Sequence, residues 1–490
     1  MIFEDLSKSS YLKQVSRASS MKRLRVYFLV IVVIGAIVCA LNSIRIQNVN
    51  TIFSEMTIAV EGKRNVSNRT ATVRGAVGDS GRRNKSGFIS EKRSNSTTTS
   101  SQNSTDLHKR ALNFVKALRL VPLSDPSAIW PEMDHGIRLT AQLQHVPKQA
   151  VKRSKLRKLK LFLLWGGFKT ALLPKRNLNP FLRCPINTCE ITEDRSKIGT
   201  ADVIVIERPA IGSVEPSGPR PKHQVQVMLN VESPLNTPLH YGTGYQSSLN
   251  WTVTYRRDST IPVPYGVFVR YNESVRFKVL KKNYAAGKTK KVAWFISNCY
   301  DNNERLKLAE ELSKYISVDI YGKCGTLKCP RSLRKKCFHL LDSSYKFYLA
   351  FENSNCREYI TEKFFLNGLS RDIVPIVYGA HKDDYERVAP PHSFIHVDDF
   401  ESPKQLAEYL HRLDKNDHLY NSYFRWKGTG KVFTGDLYFW CRLCMLSHAD
   451  DADKRRYVSN YDRWWRPEGI CKMNSGYQRW TSPTYGTLWS

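Results

Sequence analysis

The chain is 490 residues long, 41% hydrophobic and 11% aromatic, and carries a formal net charge of +32. This length exceeds what one hydrophobic core serves, so it argues against a single-domain protein and predicts two domains with additional non-globular segments. The positive charge requires an anionic class of partner. Charge alone leaves nucleic acid, a membrane surface and phosphorylated small molecules open.

The long apolar run VYFLVIVVIGAIVCAL near the N-terminus predicts a transmembrane signal-anchor over residues 26–44. Residues 1–25, the predicted cytoplasmic tail, hold six basic residues, whereas only Arg45 follows the anchor closely. The positive-inside rule therefore places everything after the anchor in the lumen, which excludes nucleic acid as the partner. A cleaved signal peptide is the alternative, but no small-x-small site follows the run.

Residues 45–155 are predicted to form a largely disordered, glycosylated stem. Their central part is rich in Ser, Thr, Asn, Arg and Gly and has almost no apolar periodicity. Seven Asn-x-Ser/Thr triplets follow the anchor and are candidates for N-glycosylation. They begin at Asn65, Asn68, Asn84, Asn95, Asn103, Asn250 and Asn272.

The cysteines are suited to an oxidising compartment. Of eleven, Cys39 lies in the predicted anchor, which leaves an even ten on the lumenal side. Two close pairs stand out, Cys184 with Cys189 and Cys441 with Cys444. Zinc is the alternative for such pairs, but the spacing and the lumenal setting favour disulfides that tie the C-terminal part back to the first lobe. The pairing of the remaining six cysteines stays open.

The body of the chain has the pattern of an α/β protein. Short apolar runs bounded by Gly and Pro, such as KLKLFLLW, ADVIVIE and HQVQVMLNVE, predict buried parallel strands. A second series of strands, VAWFISN, VDIYG, FYLAF, DIVPIVYG and SFIHVDDF, alternates with predicted helices. Among these helices are YITEKFFLNGL and SPKQLAEYLHRL, and Ser402 is the predicted N-cap of the second. We therefore expect a first lobe at 156–287, a second lobe at 288–445 and a tail, 446–490, packing on the lobes.

Four polar residues that follow strands are candidates for chemistry. Loops beyond the carboxyl ends of parallel strands hold the ligand in open α/β sheets, which points to Glu232 in the first lobe. Arg305 and Lys363 each fall in the first turn of a helix after a strand, where backbone N–H groups favour phosphate. Glu362, beside Lys363, is placed to accept hydrogen bonds from ribose hydroxyls.

The run FENSNCREYITEKFF, residues 351–365, together with VESPLNTP, NWTVTYRRDS and VPYG upstream, resembles the α1,3-fucosyltransferase family, glycosyltransferase family 10. The resemblance implies two Rossmann-like lobes facing a cleft (glycosyltransferase-B type), GDP-fucose as donor and inversion at the transferred sugar. It also implies a single-pass type II protein of the Golgi membrane.

The same resemblance assigns roles to residues. The general base corresponds to Glu232, the phosphate-binding pair to Arg305 and Lys363, and the ribose-binding acid to Glu362. Further contacts with the donor correspond to Tyr359, Asn353, Tyr255 and Arg256. Because Arg305 and Lys363 can balance the diphosphate, we expect no obligatory metal, with Mn²⁺ or Mg²⁺ as a stimulant.

Acceptor choice is less directly encoded. The NCREYITEKFF variant and the CPINTC pair are most similar to invertebrate enzymes that fucosylate the innermost N-acetylglucosamine of N-glycans, which makes the core of glycoproteins the expected acceptor. The alternative is a Lewis-type enzyme that acts on outer-arm N-acetyllactosamine or LacdiNAc. A non-catalytic lumenal glycan-binding protein is a more distant one.

Overall fold

The computed structural model describes much of the chain after residue 103. The described residues are 104–133, 137–156, 159–166, 172, 179–207, 221–237, 249–300, 302–450, 452, 458 and 460–472. All belong to the second of two units into which the chain divides, Thr97–Ser490. The predicted tail, anchor and first five sequons lie outside these residues. No helix within them is long and apolar enough to cross a membrane.

The first lobe is built on a six-stranded parallel sheet with the strand order β2-β1-β3-β4-β5-β6. Its strands are β1 (Lys160–Leu164), β2 (Cys189–Thr192), β3 (Val203–Glu207), β4 (Val225–Asn230), β5 (Trp251–Thr254) and β6 (Ile261–Pro262). Every residue of β3, β4 and β5 is buried. Central parallel strands are covered on both faces, so their sequences are nearly continuous apolar runs. The predicted strands KLKLFLLW, ADVIVIE and HQVQVMLNVE are confirmed as β1, β3 and β4.

Three helices precede this sheet and pack on it. They are α1 (Ser104–Ala117), α2 (Arg138–Gln144) and α3 (Lys148–Leu156). Val115 and Leu143 from these helices, with Trp130 between them, belong to the core of the first lobe. The prediction that the stem extends to residue 155 is therefore wrong, because the folded part of the chain already includes α1. The polar composition upstream concealed the apolar stripe of α1, in which Leu107 and Ala111 are also buried.

The second lobe is built on a five-stranded parallel sheet with the order β13-β12-β10-β8-β9. Its strands are β8 (Lys290–Phe295), β9 (Val318–Tyr321), β10 (Tyr345–Phe351), β12 (Val374–Tyr378) and β13 (Ile395–His396). Its helices are α4 (Arg305–Ser313), α5 (Arg334–Ser344), α6 (Glu362–Phe364), α7 (Lys382–Val388), α8 (Pro403–Asp414) and α9 (Asp417–Ser422). The predicted cap of α8 is confirmed, because the Ser402 hydroxyl accepts the Gln405 N–H at 3.2 Å.

Two elements of this lobe differ from the prediction. The segment YITEKFFLNGL contains only the short helix α6, followed by a π-helical turn, Phe365–Leu369. A Cβ at Gly368 in this turn would come within 2.8 Å of Pro375, so the turn packs closely on β12. SFIHVDDF holds only the two-residue β13, because the His396 ring accepts the Asp398 N–H at 3.1 Å and starts a 3₁₀ turn.

The chain returns to the first lobe after the second. Two antiparallel strands, β7 (Gly266–Arg270) and β14 (Gly430–Thr434), pair where the chain leaves the first lobe and where it returns to it. Helix α10 (Phe439–Ser447) is buried along its whole length and joins the core of the first lobe. The first lobe is thus assembled from two stretches of chain that flank the second lobe.

Disulfides join these two stretches. Cys184 is bonded to Cys441 and Cys189 to Cys444, across 257 and 255 residues of chain. The predicted tie between the C-terminal part and the first lobe is confirmed. The zinc alternative is wrong, because each thiol is consumed by a partner thiol. The remaining described cysteines pair as Cys299–Cys324, Cys329–Cys337 and Cys356–Cys471.

The C-terminal segment 460–472 packs on both lobes, as predicted for the tail. Its helix α11 (Tyr461–Trp465) lies against the first lobe, where Trp465 is 0% exposed. Its strand β15 (Cys471–Lys472) pairs with β11 (Asn355–Cys356) of the second lobe, and the disulfide Cys356–Cys471 lies in that pairing. Residues 473–490 lie outside the described part.

Of the predicted sequons, only Asn250 and Asn272 lie among the described residues. Asn250 is 1% exposed, and its side-chain oxygen accepts the Gln226 N–H of β4 at 3.0 Å. A glycan there would need that buried amide in solvent, so this candidate is wrong. The Asn272 side chain is exposed, and its oxygen accepts the Ser274 N–H at 2.9 Å.

Candidate functional site

The candidate site lies where the carboxyl ends of the two sheets meet. In the second lobe, β10 ends at Phe351 and is followed by Glu352, Asn353 and Ser354. In the first lobe, β4 ends at Asn230, two residues before Glu232. Carboxyl ends of parallel strands are the expected ligand edge of such sheets, and each lobe here presents one.

Lys363 is held at the start of α6 by two oxygen atoms. Its Nζ donates to Glu352 Oε2 at 2.9 Å and to Thr361 Oγ1 at 2.8 Å. Burial lowers the pKa of the Lys363 ammonium, but the Glu352 and Glu362 carboxylates outweigh burial and hold that pKa above its usual range. Lys363 is therefore a fixed positive charge at the start of α6, and a charged ammonium in this position is suited to phosphate.

Glu362 lies beside this lysine with half of its side chain exposed. Its carboxylate is 3.6 Å from Lys363 Nζ, and its side chain is 50% exposed. Burial raises the pKa of Glu362, but the Lys363 charge and local hydrogen bonds outweigh burial and lower it. The ionised carboxylate can accept hydrogen bonds from a hydroxylated ligand, as predicted for ribose.

Arg305 begins α4 and braces two strand ends. Its side chain is buried, and its terminal nitrogens donate to the backbone carbonyls of Phe351, at 3.1 Å, and Asn298, at 2.9 Å. The structure thus places Arg305 beneath the loop that carries Glu352. Its contact with a diphosphate stays a prediction.

Glu232 reaches the second lobe through a single strong hydrogen bond. Tyr359 donates its hydroxyl to Glu232 Oε1 at 2.6 Å, and the Ser233 N–H donates to the same oxygen at 3.0 Å. Burial, together with neighbouring Tyr265 and Glu232, holds the pKa of Tyr359 well above its usual range. Tyr359 therefore stays protonated and remains a donor to the carboxylate.

Further hydrogen bonds join the lobes around Glu232. The Ser233 and Ser354 hydroxyls are 2.8 Å apart, and the Asn236 amide donates to Ser354 Oγ at 3.0 Å. Asn302, from the loop after β8, donates to Asn236 Oδ1 at 2.8 Å. Its backbone N–H also bonds the Asn353 carbonyl at 3.1 Å, which places Asn353 at the same junction.

Tyr255 and Arg256 occupy different surroundings. The Tyr255 ring packs 5.1 Å from that of Tyr359, so it borders the site, and its contact with the donor stays a prediction. Arg256 is buried, pairs with Asp258 and donates to the Trp464 carbonyl at 2.8 Å. Its guanidinium also lies over the Trp464 ring. These contacts make Arg256 an anchor of the C-terminal segment, and its contact with the donor stays a prediction.

The sequence reasoning missed Glu352. It lies inside the FENS run and is 0% exposed, yet it was given no role. The available signal was a charged residue directly after a seven-residue strand that is buried throughout. An acid in that position is costly unless a partner pairs with it, and the partner is Lys363.

Two family models match the chain. Residues 157–266 match "Fucosyltransferase, N-terminal", and residues 285–464 match "Glycosyltransferase family 10 (fucosyltransferase) C-term". The two matches follow the two sheets, and the second includes Arg305 and the whole Glu352–Lys363 segment.

Several known proteins are similar over most of this body. Glycoprotein 3-alpha-L-fucosyltransferase A of Drosophila melanogaster is 46% identical over 365 residues, which cover 73% of this chain and 69% of the relative. The mouse 4-galactosyl-N-acetylglucosaminide 3-alpha-L-fucosyltransferase 9 is 37% identical over 288 residues, covering 57% and 75%. The Caenorhabditis elegans alpha-(1,3)-fucosyltransferase fut-1 is 34% identical over 294 residues, covering 58% and 65%.

Among solved structures, a crystal structure of an α1,3-fucosyltransferase with GDP-fucose aligns with a TM-score of 0.40 and 16% identity. The alignment covers 60% of this chain and 90% of that one.

Proposed function

Because this chain belongs to glycosyltransferase family 10, the fucosyltransferases, we propose that it transfers L-fucose from GDP-fucose, with inversion, to N-acetylglucosamine of N-glycans in α1,3 linkage. The acceptor we propose is the innermost core N-acetylglucosamine of glycoproteins. The observation that carries the proposal is the hydrogen bond from Tyr359 to Glu232, because it sets a carboxylate of one lobe beside the segment of the other that ends in Lys363.

The proposed mechanism divides the work between the lobes. Glu232 takes the proton from the attacking acceptor hydroxyl, while GDP leaves from the opposite face of an oxocarbenium-like sugar. The leaving diphosphate needs charge stabilisation rather than a proton. Lys363 and Arg305 supply that charge, and Glu362 accepts hydrogen bonds from the ribose. With two cations in these positions, the reaction needs no obligatory metal, and Mn²⁺ or Mg²⁺ acts as a stimulant.

The relatives support the core acceptor over an outer-arm one. Identity is 46% to the Drosophila protein named for glycoproteins and 37% to the mouse protein named for 4-galactosyl-N-acetylglucosaminide. Transfer to outer-arm N-acetyllactosamine or LacdiNAc is the second candidate. A non-catalytic glycan-binding role is less well supported, because Glu232 is hydrogen-bonded by Tyr359 from the same segment that carries Lys363.

We also propose that the chain is a single-pass type II protein of the Golgi membrane with a lumenal catalytic body. The five disulfides of the described part support a compartment of the secretory pathway, since disulfides persist in oxidising environments. The N-terminal apolar run followed by sequons supports the orientation.

The test uses the purified full-length chain, GDP-fucose and a panel of defined N-glycans, with mass-spectrometric mapping of each product. We expect fucose on the innermost N-acetylglucosamine. Fucose only on outer-arm N-acetyllactosamine would assign the chain to the second candidate. Calorimetric GDP-fucose binding without any transfer, on any glycan of the panel, would leave only a binding role.

A further inference from the structure

The acid at the end of β10 is an unusual residue for its position. Glu352 is 0% exposed and directly follows a strand whose residues are all buried. A buried carboxylate is tolerated when it is paired and hydrogen-bonded. Its partners therefore indicate what the chain gains from keeping it.

The side-chain hydrogen bonds of Glu352 go to the segment that carries the phosphate-binding lysine. Its Oε1 accepts the Thr361 N–H at 2.8 Å, and both oxygens lie within 3.0 Å of the Thr361 hydroxyl. Its Oε2 accepts from Lys363 Nζ at 2.9 Å. The Thr361 hydroxyl oxygen is in turn 2.8 Å from the same ammonium, so carboxylate, hydroxyl and ammonium form a closed triangle.

The backbone around Glu352 is fixed as firmly as its side chain. Its N–H bonds the Tyr378 carbonyl at 2.8 Å, and its carbonyl accepts from the Asn303 amide at 3.0 Å. Gly379 follows β12 with φ +138°, and a Cβ there would come within 2.6 Å of the Glu352 Cβ. The chain thus leaves room for this acid with a residue that has no side chain.

We propose that Glu352 is a positioning residue for catalysis: through the Thr361 hydroxyl it fixes the Lys363 ammonium where the departing diphosphate develops its charge. This inference rests on the proposed function, since it names how that site holds its lysine. Glu352 itself touches neither donor nor acceptor. Preorganised charge at the leaving group lowers the barrier because no reorganisation is needed during the reaction.

A purely structural role would consist of capping the start of α6 and nothing more. The two roles differ in what happens to the charge on Lys363. The titratable and charged groups that act on this ammonium are Glu352, Glu362, Arg305 and the phenol of Tyr348. Glu352 and Glu362 raise its pKa, whereas burial and Arg305 lower it. Removal of the Glu352 charge therefore lowers the pKa of Lys363.

The experiment compares the full-length chain with its Glu352→Gln variant. We measure kcat and KM for GDP-fucose across pH, and thermal unfolding in parallel. We expect kcat to fall about 100-fold, which is the loss typical of a catalytic group displaced by up to about 1 Å. KM for GDP-fucose should change little. The displaced Lys363 ammonium binds the diphosphate less well, but the substitution also removes a negative charge near the diphosphate, and the two effects offset each other.

The pH profile separates positioning from capping. Activity carried by a charged Lys363 is lost as pH rises through its pKa, so the alkaline loss of kcat should set in at lower pH in Glu352→Gln than in the parent. The matched control is Asp414→Asn, which removes a carboxylate 3.1 Å from Lys346 Nζ in the same lobe and should leave both kcat and the limb unchanged.

Two results would overturn the inference: kcat within threefold of the parent, or a loss of kcat with an unmoved alkaline limb. If Glu352→Gln does not fold, the Thr361→Val variant tests the inference instead. It removes the bridging hydroxyl and keeps the ion pair between Glu352 and Lys363. We expect it to lower kcat about tenfold at constant KM, and an unchanged kcat would equally reject the idea. Absence of fucose transfer by the parent chain would instead reject the proposed function.

Discussion

At the scale of single residues, the hydrogen bond between Tyr359 and Glu232 defines what each lobe contributes. The tyrosine is buried and stays protonated, so it can only donate to the carboxylate or accept from another group. This fixes one oxygen of Glu232, Oε1, against the second lobe. The other oxygen is then the candidate to receive the acceptor proton.

Glu232→Gln tests that assignment. The amide keeps the size of the side chain and its oxygen can still accept from Tyr359, but it cannot take a proton. We expect transfer to fall by about 10²- to 10⁴-fold, the usual contribution of a general base, with GDP affinity retained. Initial rates and calorimetry measure the two effects. Glu273→Gln, at a side chain 84% exposed, is the control. Near-normal turnover in Glu232→Gln would remove this residue from the role.

Sequence reasoning found some of these residues and missed others for a physical reason. Glu232 and Lys363 follow strands or begin helices, so local pattern alone places them at the ligand edge. The anchoring role of Arg256 was missed because its partner, the Trp464 carbonyl, lies 208 residues away in sequence, and no local pattern reports that contact. Glu352 was missed because its role depends on its ion pair with the Lys363 ammonium, which forms only when the chain folds.

At the scale of elements, the end of β12 shows how one position depends on a neighbouring strand. Gly379 has φ +138° and faces Glu352, the residue directly after β10. A side chain at Gly379 would meet both a backbone conformation that L residues rarely adopt and a firmly held neighbour. The spacing between β10 and β12 at the ligand edge therefore depends on this glycine.

Gly379→Ala should destabilise the chain by about 1–3 kcal/mol through overpacking and reduce transfer as Glu352 is displaced. Denaturant unfolding and initial rates check both. Gly287→Ala is the matched control, because Gly287 also has positive φ, +77°, but nothing lies within 4 Å of its added Cβ. A stability loss at Gly379 no larger than that at Gly287 would mean that the contact with Glu352 is unimportant.

The elements themselves were predicted unevenly. Central strands such as β3 and β10 were recognisable because buried parallel strands have continuous apolar sequences. The helix α1 was assigned to the stem, since its apolar stripe is narrow and polar residues surround it. The π-helical turn Phe365–Leu369 could not be predicted, because it reflects the close approach to Pro375 on another strand.

At the scale of the whole molecule, two parallel disulfides hold the first lobe together. Cys184–Cys441 and Cys189–Cys444 close nearly the same long loop, of 257 and 255 residues. Once one of them has formed, the other closes only a short ring between the two chain segments. Either bridge alone therefore accounts for most of the conformational entropy that the two bridges together remove from the unfolded chain.

This redundancy predicts a non-additive result. Replacing either pair by alanine should lower the thermal midpoint modestly, whereas replacing both pairs should cost about 5 kcal/mol, the value expected for freeing so long a loop. The control is replacement of Cys329 and Cys337, which close a loop of only 8 residues. The shared-loop explanation would be contradicted if the two single-pair variants lost equal stability and their losses summed to the loss in the variant that lacks all four cysteines.

The position of α10 also bears on how the protein is made. A ribosome releases the strands of the first lobe, then the complete second lobe, and only then the helix and cysteines that finish the first core. Domains generally fold as units when their residues have emerged. We therefore expect the second lobe to mature first during synthesis, with the first lobe incomplete until α10 has emerged, so the later-encoded lobe is the earlier one to close.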